Sequence, residues 1–194
     1  YPYFNSPSGA TALTACLTSP GQFGRTLARH LADEGLSLAV EPGRSLLDQA
    51  GLTLIDILGT REHPQGYGIV TADALSFSIS EQWFESEFLP DPILLKGADG
   101  PIEPFFACVA GSSCLDRDML TWRKIAFPAK PARGDLLVYA NTAGYQMDSN
   151  ESPFHRRPLP QKVAVWAEGG TLGWCLDQLY AARRTERATT SPPR

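Results

Sequence analysis

The sequence has few of the residues that build metal centres, disulfide scaffolds or membrane spans. Its four cysteines and three histidines are scattered over 194 residues, and no two cysteines have the Cys-x-x-Cys spacing of a zinc site. We therefore expect no metal, and reduced thiols in a cytoplasmic protein, because so few cysteines do not make a disulfide scaffold in a chain of this length. No apolar run approaches the roughly 18 residues of a membrane span, so we expect no membrane insertion.

The chain also lacks an excess of basic residues and a signal-like start. Its 17 lysines and arginines against 21 aspartates and glutamates give a formal net charge of −4. Nucleic-acid binders usually carry a basic face, so we do not expect nucleic acid as a partner. The first residues, Tyr-Pro-Tyr-Phe-Asn, have neither the basic start nor the apolar core of a signal peptide. The absence of Met at position 1 suggests that this is not the native N-terminus, although processing could also remove the initiator Met.

What the chain does contain is an apolar fraction of 43% and a charged fraction of 20%, as in a globular protein with a core. Residues 1–18 are rich in small and polar types and predict a loop. A Ser-Pro pair at 19–20 predicts a helix start and Gly35 its end, with apolar residues at helical spacing between them. An apolar stretch at 36–40 predicts a strand, and a short helix to about residue 50 completes an α/β unit.

Beyond residue 50 the pattern changes to short β-type runs separated by Gly and Pro. The runs lie at 52–58, 68–70, 76–79, 93–95, 105–109, 135–139 and 162–166. Many short strands separated by Gly and Pro residues predict an antiparallel sandwich or barrel. We therefore expect the end of an α/β domain over 1–50, a β domain over 51–182, and a polar, disordered tail over 183–194.

A Glu-Pro-Gly-Arg tetrapeptide at 41–44 joins the predicted strand to the short helix. Backbone N–H groups at a helix N-terminus favour a bound phosphate, and the Arg44 guanidinium can bind the same phosphate bidentately. The turn contains Gly43, and Glu41 immediately before it can hold a cationic part of the same ligand. The tetrapeptide predicts a phosphate site, although by itself the signal is weak.

Two further motifs follow in the β region: Gly-Ser-Ser-Cys-Leu-Asp-Arg-Asp at 111–118, and Ala-Gly-Tyr at 143–145 after a predicted strand. In this order, the three motifs resemble those of the fold-type III pyridoxal-phosphate decarboxylases, the ornithine, diaminopimelate and arginine decarboxylase family. The resemblance covers about residues 36–170. It implies pyridoxal phosphate as the cofactor. The implied fold is a mainly β C-terminal domain, a Greek-key-like barrel or sandwich, preceded by the last βα portion of an incomplete TIM-type α/β barrel.

The resemblance also implies roles for individual residues. Glu41 matches the carboxylate that faces the pyridine nitrogen of the cofactor, and Gly43 and Arg44 match the phosphate-binding pair. Tyr145 matches a tyrosine whose hydroxyl bonds the phosphate. Cys114 matches a cysteine that crosses a dimer interface into the neighbouring active site and returns a proton to the substrate carbon.

Simpler roles stay open for the same residues. Glu41 could be a solvated turn carboxylate. Arg44 could cap a helix or form an ion pair with Glu41. Cys114 could be a small buried core thiol, and Tyr145 an aromatic packing at a sheet edge. Asp118 matches an acidic position whose role is structural or substrate-orienting. The remaining cysteines are expected to be packing residues: Cys16, Cys108 and Cys175.

Three departures from the family limit what the resemblance implies. The Schiff-base lysine of the family lies on an early barrel strand, and no lysine here has a matching context. The lysines present are Lys96, Lys124, Lys130 and Lys162. Leu115 stands where relatives place an Asp or Glu that binds the distal ammonium of the substrate, and an apolar side chain cannot neutralise a charge. Glu151 and Ser152 replace an expected aromatic-Asn pair, which also indicates altered specificity.

The leading interpretation is the C-terminal portion of a pyridoxal-phosphate-dependent amino-acid decarboxylase that works as a head-to-tail homodimer. Because the lysine region is missing, we expect this chain alone to be inactive. One alternative is a non-catalytic truncated module or pseudoenzyme that dimerises with or regulates a full-length relative. A second alternative keeps the cofactor and changes the reaction to amino-acid racemisation.

Overall fold

A computed structural model describes residues 9–21, 24–41, 44–47, 49–76, 91–97, 102–143 and 160–178. The chain divides into two units, Tyr1–Ser152 and Pro153–Arg194, and each is described by itself. The predicted disordered tail and the predicted strand at 76–79 lie almost wholly outside the described residues. The same holds for Gly43, Tyr145, Glu151 and Ser152.

Among the described residues, three short helices precede the sheet in sequence. They are α1 (Gly9–Thr18), α2 (Leu27–Asp33) and α3 (Arg44–Leu47). The predicted loop over 1–18 is wrong at α1, because the Ala and Leu residues of this segment favour a helix. The predicted start at 19–20 is also wrong, since α2 begins after Thr26, whose hydroxyl accepts a hydrogen bond from the Arg29 backbone N–H (3.2 Å). Gly35 has the left-handed φ of a helix end (+65°), so that prediction is confirmed.

The apolar stretch at 36–40 joins neither sheet in the described part of the chain, so the strand predicted there is not observed. Leu36, Leu38 and Val40 are all exposed. A strand of a parallel sheet satisfies its backbone groups by pairing with a neighbouring strand, and none of the described strands pairs with this segment. The βα portion of an incomplete α/β barrel therefore stays a prediction.

A six-stranded sheet forms the larger unit. Its strands are β1 (Leu52–His63), β2 (Tyr67–Ala72), β3 (Ile93–Leu95), β4 (Phe105–Ala110), β5 (Met119–Phe127) and β6 (Leu136–Ala140). They lie in the order β3-β6-β1-β2-β4-β5, and the sheet curls into a half-barrel. The prediction of a mainly β fold is confirmed, but β2 and β4 pair in parallel. The long connection between these two strands allows the crossover that a parallel pair requires.

In the described part of the smaller unit, residues 160–178, β7 (Val163–Glu168) and β8 (Thr171–Leu176) form a β-hairpin. Two glycines with positive φ, Gly169 (+58°) and Gly170 (+81°), join the strands. A two-residue loop with this handedness matches the twist of a hairpin, and glycine adopts it at little cost. The sequence pattern located β7 but not β8.

The core lies on one face of the larger sheet. Its largest fully buried side chains include Tyr139, Phe127, Ile57, Leu120 and Leu137. The buried hydroxyls of Thr121 and Tyr139 satisfy one another at 2.8 Å, as buried polar groups require. On the opposite face, the pairing register aligns Leu54, Val138 and Ile93 in one row, and the two outer members of this row are exposed. Strand alternation thus gives β1, β6 and β3 two apolar faces, of which only one forms the core.

Candidate functional site

The 111–118 loop connects β4 to β5 and is held by a buried carboxylate. Asp118 is 4% exposed, and it accepts hydrogen bonds from the backbone N–H groups of Ser76 (2.6 Å) and Ser113 (2.9 Å). The Gly111 N–H donates to the Asp118 carbonyl oxygen at 2.7 Å. Because a Cβ at position 111 would overlap the Asp118 carboxylate, only glycine fits there without rearrangement. These contacts support the structural role that was one of the two considered for Asp118.

The segment that follows β2 anchors the same loop. Ser112 donates to the Ala74 carbonyl oxygen from its backbone N–H (2.9 Å) and from its hydroxyl (3.2 Å). Cys114 and Leu115 lie at the exposed tip of the loop that these bonds fix. Cys114 is therefore not the buried core thiol that was considered as its simpler role. Cys108 and Cys175 are buried as expected, but Cys16 is exposed, so its assignment as a packing residue is wrong.

The 41–44 motif lies between the unpaired 36–40 segment and α3. Glu41 is exposed, and no hydrogen bond or ion pair joins it to another described residue. Arg44 begins α3, while its side chain lies outside what the structure describes. The helix ends at Leu47, earlier than the sequence predicted. A single turn has little macrodipole, so attraction of a phosphate to this motif depends mainly on the Arg44 guanidinium.

Beyond α3, the chain meets the end of β6 at a junction of hydrogen bonds. The Gln49 N–H donates to the Asn141 side-chain oxygen at 2.6 Å, and the Thr142 N–H donates to the Gly51 carbonyl oxygen at 3.1 Å. The hydroxyls of Thr53 and Thr142 are 2.8 Å apart. We call these contacts the 49–142 junction. It brings the segment that follows Arg44 against the segment that leads to Tyr145.

The structure thus bonds residues 49–53, which follow the 41–44 motif in sequence, to residues 141–142, which precede the 143–145 motif. The contacts described for the 111–118 loop instead attach it to residues 74–76. Sequence reasoning missed Asn141, Thr142 and Ser76. For Asn141 a signal was present, because Asn directly after an apolar strand is among the few residues that adopt a left-handed backbone. For Ser76 there was none, since its contribution is a backbone N–H.

Three lysines in the larger unit have structural contacts. Lys96 pairs with the buried carboxylate of Asp135 at 2.8 Å, and Lys130 pairs with Glu62 at 2.7 Å. The Lys124 ammonium lies 4.3 Å from the centre of the Tyr67 ring, a cation–π contact. Each ammonium group therefore has a partner unrelated to the three motifs.

The fold is that of part of the fold-type III decarboxylases, and the resemblance inferred from the motifs is confirmed. The diaminopimelate decarboxylase of Helicobacter pylori, complexed with L-lysine, superposes with a TM-score of 0.59 at 17% identity, over 82% of this chain and 38% of that one. The carboxynorspermidine decarboxylase of Campylobacter jejuni, complexed with norspermidine, gives a TM-score of 0.57 at 19% identity, over 81% and 45% of the two chains. At these identities, the superpositions show the fold alone.

Sequence comparison adds particular relatives. The chain is 45% identical over 167 residues to the uncharacterized protein y4yA of Sinorhizobium fredii, covering 85% of this chain and 36% of that protein. It is 31% identical over 139 residues to the diaminopimelate decarboxylase of Deinococcus radiodurans, covering 68% and 32%. The chain thus spans about a third of the length of these curated relatives. No protein-family model matches it. Within the described residues, no helix is long and apolar enough to cross a membrane.

Diaminopimelate decarboxylases and related decarboxylases of this fold use pyridoxal phosphate. The residues present fit this group by the chemistry of their donors. A carboxylate at Glu41 and a guanidinium at Arg44 are complementary to a cationic pyridinium and an anionic phosphate. Glu41 is exposed and unpaired within the described residues, so its carboxylate is accessible to a ligand. Neither Gly43 nor Tyr145 lies among the described residues, so their roles stay predictions.

Proposed function

We propose that this chain is the C-terminal portion of a pyridoxal-phosphate-dependent amino-acid decarboxylase. The observation that carries the proposal is the 49–142 junction, which bonds the chain just after the Arg44 helix to the end of β6, the strand that precedes Tyr145 in sequence. This connection occurs in a chain related in sequence to diaminopimelate decarboxylases. In the proposed protein, residues 1–50 are the terminal portion of the cofactor-binding barrel and residues 51–182 are the β domain.

Each cofactor contact in this proposal has a distinct physical task. Glu41 keeps a proton on the pyridine nitrogen, because an ionised carboxylate beside that nitrogen favours its cationic form. Arg44 and Tyr145 bind the phosphate, with Gly43 allowing close approach of the backbone. When bound, pyridoxal phosphate accepts the electron pair that remains on the substrate carbon as carbon dioxide leaves.

The 111–118 loop supplies the proton donor in this proposal. Cys114 lies at the exposed tip of a loop fixed by Asp118, so its thiol can reach the active site of a second subunit in a head-to-tail homodimer. There the Sγ–H gives a proton to the substrate carbon. Leu115, beside it, is exposed and offers no charge to an ammonium. We therefore propose an amino-acid substrate other than a standard dibasic one, in a cytoplasmic enzyme.

Titration with pyridoxal phosphate tests the cofactor assignment. We expect saturable binding by the chain, and we expect Arg44→Ala to weaken it by about 1.5–3 kcal/mol, the range for hydrogen bonds to a charged group. Arg29→Ala is the matched control, since Arg29 pairs with Asp33 on α2 at 2.8 Å and has no place in the proposed site. Equal affinities for the two variants would assign Arg44 a structural role.

The two alternatives differ from this proposal in their products. A regulatory module would form complexes with a full-length relative without adding activity, and a racemase would invert its substrate without releasing carbon dioxide. No observation of the fold or the site favours either of them.

A further inference from the structure

We propose that Asn141 is a positioning residue of the cofactor site. Its side-chain oxygen accepts a hydrogen bond from Gln49, two residues beyond α3, and so holds the chain that follows Arg44 against the end of β6, which precedes Tyr145 in sequence. The inference rests on the proposed function, since Arg44 and Tyr145 are the phosphate ligands of that proposal. The inference adds Asn141, which does not contact the cofactor but positions the residues that do.

The backbone at both ends of this hydrogen bond is unusual. Gln49 (φ +59°) and Asn141 (φ +55°) are the non-glycine residues with positive φ in the part of the chain that the structure describes. They are 92 positions apart and bonded to each other at 2.6 Å. A left-handed backbone is unfavourable for a residue with a Cβ, and it persists where the surroundings impose it, often at functional sites.

The neighbouring contacts show what imposes this conformation. The Ala50 N–H donates to the Leu47 carbonyl oxygen at 3.0 Å, so the chain turns sharply where α3 ends. Thr142, which is fully buried, bonds Gly51 through its backbone and Thr53 through its hydroxyl. Asn141 is therefore held from its C-terminal side, and its oxygen accepts a hydrogen bond from the Gln49 amide, two residues beyond the end of α3.

Such a bond matters for a ligand that is held from two segments. A phosphate bound by groups on different segments requires those segments to keep their separation to within about 0.5 Å. The helix that carries Arg44 has a single turn, and its two described side chains, Leu46 and Leu47, are exposed. The Asn141 oxygen provides an attachment two residues beyond the C-terminal end of this helix, and Asn141 precedes Tyr145 by four positions in sequence.

Three substitutions of Asn141 distinguish the effect of the side-chain acceptor from the effect of the left-handed backbone. Asn141→Asp keeps an acceptor and tolerates positive φ. Asn141→Gly removes the acceptor and relieves the backbone, and Asn141→Ala removes the acceptor and retains the strain. Thr26→Ala is the matched control, because the Thr26 hydroxyl makes the same kind of bond to a backbone N–H, at the start of α2.

The readouts are the pyridoxal phosphate dissociation constant, amide hydrogen exchange at Gln49 in the cofactor-free chain, and the unfolding midpoint. We expect Asn141→Gly and Asn141→Ala to weaken cofactor binding by about 3- to 10-fold, the effect of one hydrogen bond. We expect Asn141→Asp to bind like the unchanged chain. Exchange at Gln49 should accelerate in the Gly variant and stay slow in the Asp variant. Thr26→Ala should lower the unfolding midpoint and leave the dissociation constant unchanged.

Several results would overturn the inference. They are an Asn141→Gly variant that binds as tightly as the unchanged chain, an Asn141→Asp variant that binds as weakly as the Gly variant, and unprotected exchange at Gln49 in the unchanged chain. If the unchanged chain shows no saturable binding, the proposed function fails and this inference fails with it. A failure of the inference alone is recognised by tight cofactor binding that depends on Arg44 but not on Asn141.

Discussion

At the scale of single residues, two buried carboxylates organise the loops of the larger unit. Asp118 receives backbone N–H groups from two loops, and Asp135 receives those of Gly97 (2.9 Å) and Ala132 (2.9 Å) together with the Lys96 ammonium. In both cases, the acceptor satisfies N–H groups that have no place in a strand ladder. Asp118 and Asp135, whose residue type alone would place them on the surface, thus stabilise the loops of the larger unit.

The pKa of Asp135 predicts how acid affects the fold. Burial raises this pKa, but the hydrogen bonds and charge of Lys96 and the N–H groups of Gly97 and Ala132 together hold it below its usual value. A carboxyl whose pKa is lower in the folded state stabilises the fold at neutral pH. This contribution is lost as the pH falls through the folded-state pKa. The free energy of unfolding should therefore decrease as the pH falls below the ordinary pKa of an Asp side chain.

We expect Asp135→Asn to lower the free energy of unfolding by about 1–3 kcal/mol at neutral pH, because an amide nitrogen would face a backbone N–H or the Lys96 ammonium. The difference from the unchanged chain should narrow in acid. Glu62→Gln is the control, since Glu62 and Lys130 form an exposed pair, which contributes little to stability. Urea denaturation at neutral and acidic pH measures both. Similar results for the two variants would contradict the structural role of Asp135.

At the scale of elements, β6 and β1 provide a test of which face forms the core. Leu137 is fully buried and Leu54 is 57% exposed, although both are leucines in paired strands. Leu137→Ala should lower the free energy of unfolding by about 2–5 kcal/mol, as for a buried large-to-small change. Leu54→Ala should change it by less than about 0.5 kcal/mol. Chemical denaturation followed by tryptophan fluorescence compares them, and a large loss for Leu54→Ala would indicate that its face is covered in solution.

The elements also show how far the sequence predicts the fold. Runs of β-branched and aromatic residues located most strands, because a half-buried strand repeats with period two. The pattern did not reveal β5, where Arg123 and Lys124 interrupt the apolar residues, or α1, which has no buried side chain. The parallel pairing of β2 with β4 depends on contacts between residues distant in sequence, which local periodicity does not encode.

The candidate site also has one part that the sequence predicted and one part that it did not. The three motifs were visible because they consist of chemically distinctive residues in a fixed order. The 49–142 junction was not visible, since it consists of one side-chain oxygen and several backbone groups distant in sequence. Its existence depends on the strand pairing of β1 with β6, which places Gly51 and Thr142 at the same end of the sheet. The chemically reactive residues can thus be predicted from local sequence, whereas the contacts that position them are known only from the folded structure.

At the scale of the whole molecule, the chain spans about a third of the length of its curated relatives, and this bears on its activity. The resemblance implies a Schiff-base lysine, whose amine would have to be available to the cofactor. The ammonium groups of Lys96 and Lys130 are paired with carboxylates, and that of Lys124 lies over the Tyr67 ring. Each of these three ammonium groups is thus held by a structural contact away from the proposed cofactor residues.

We therefore expect the isolated 194-residue chain to bind pyridoxal phosphate without releasing carbon dioxide from an amino acid. The measurement is the release of labelled carbon dioxide from carboxyl-labelled diaminopimelate, lysine, ornithine and arginine, with the Deinococcus radiodurans diaminopimelate decarboxylase as the positive control on its own substrate. Measurable release by the isolated chain would mean that one of its own lysines takes the covalent role. Substitution of Lys96, Lys124, Lys130 and Lys162 one at a time would then identify it, because only the variant that lacks the reacting amine would lose the activity.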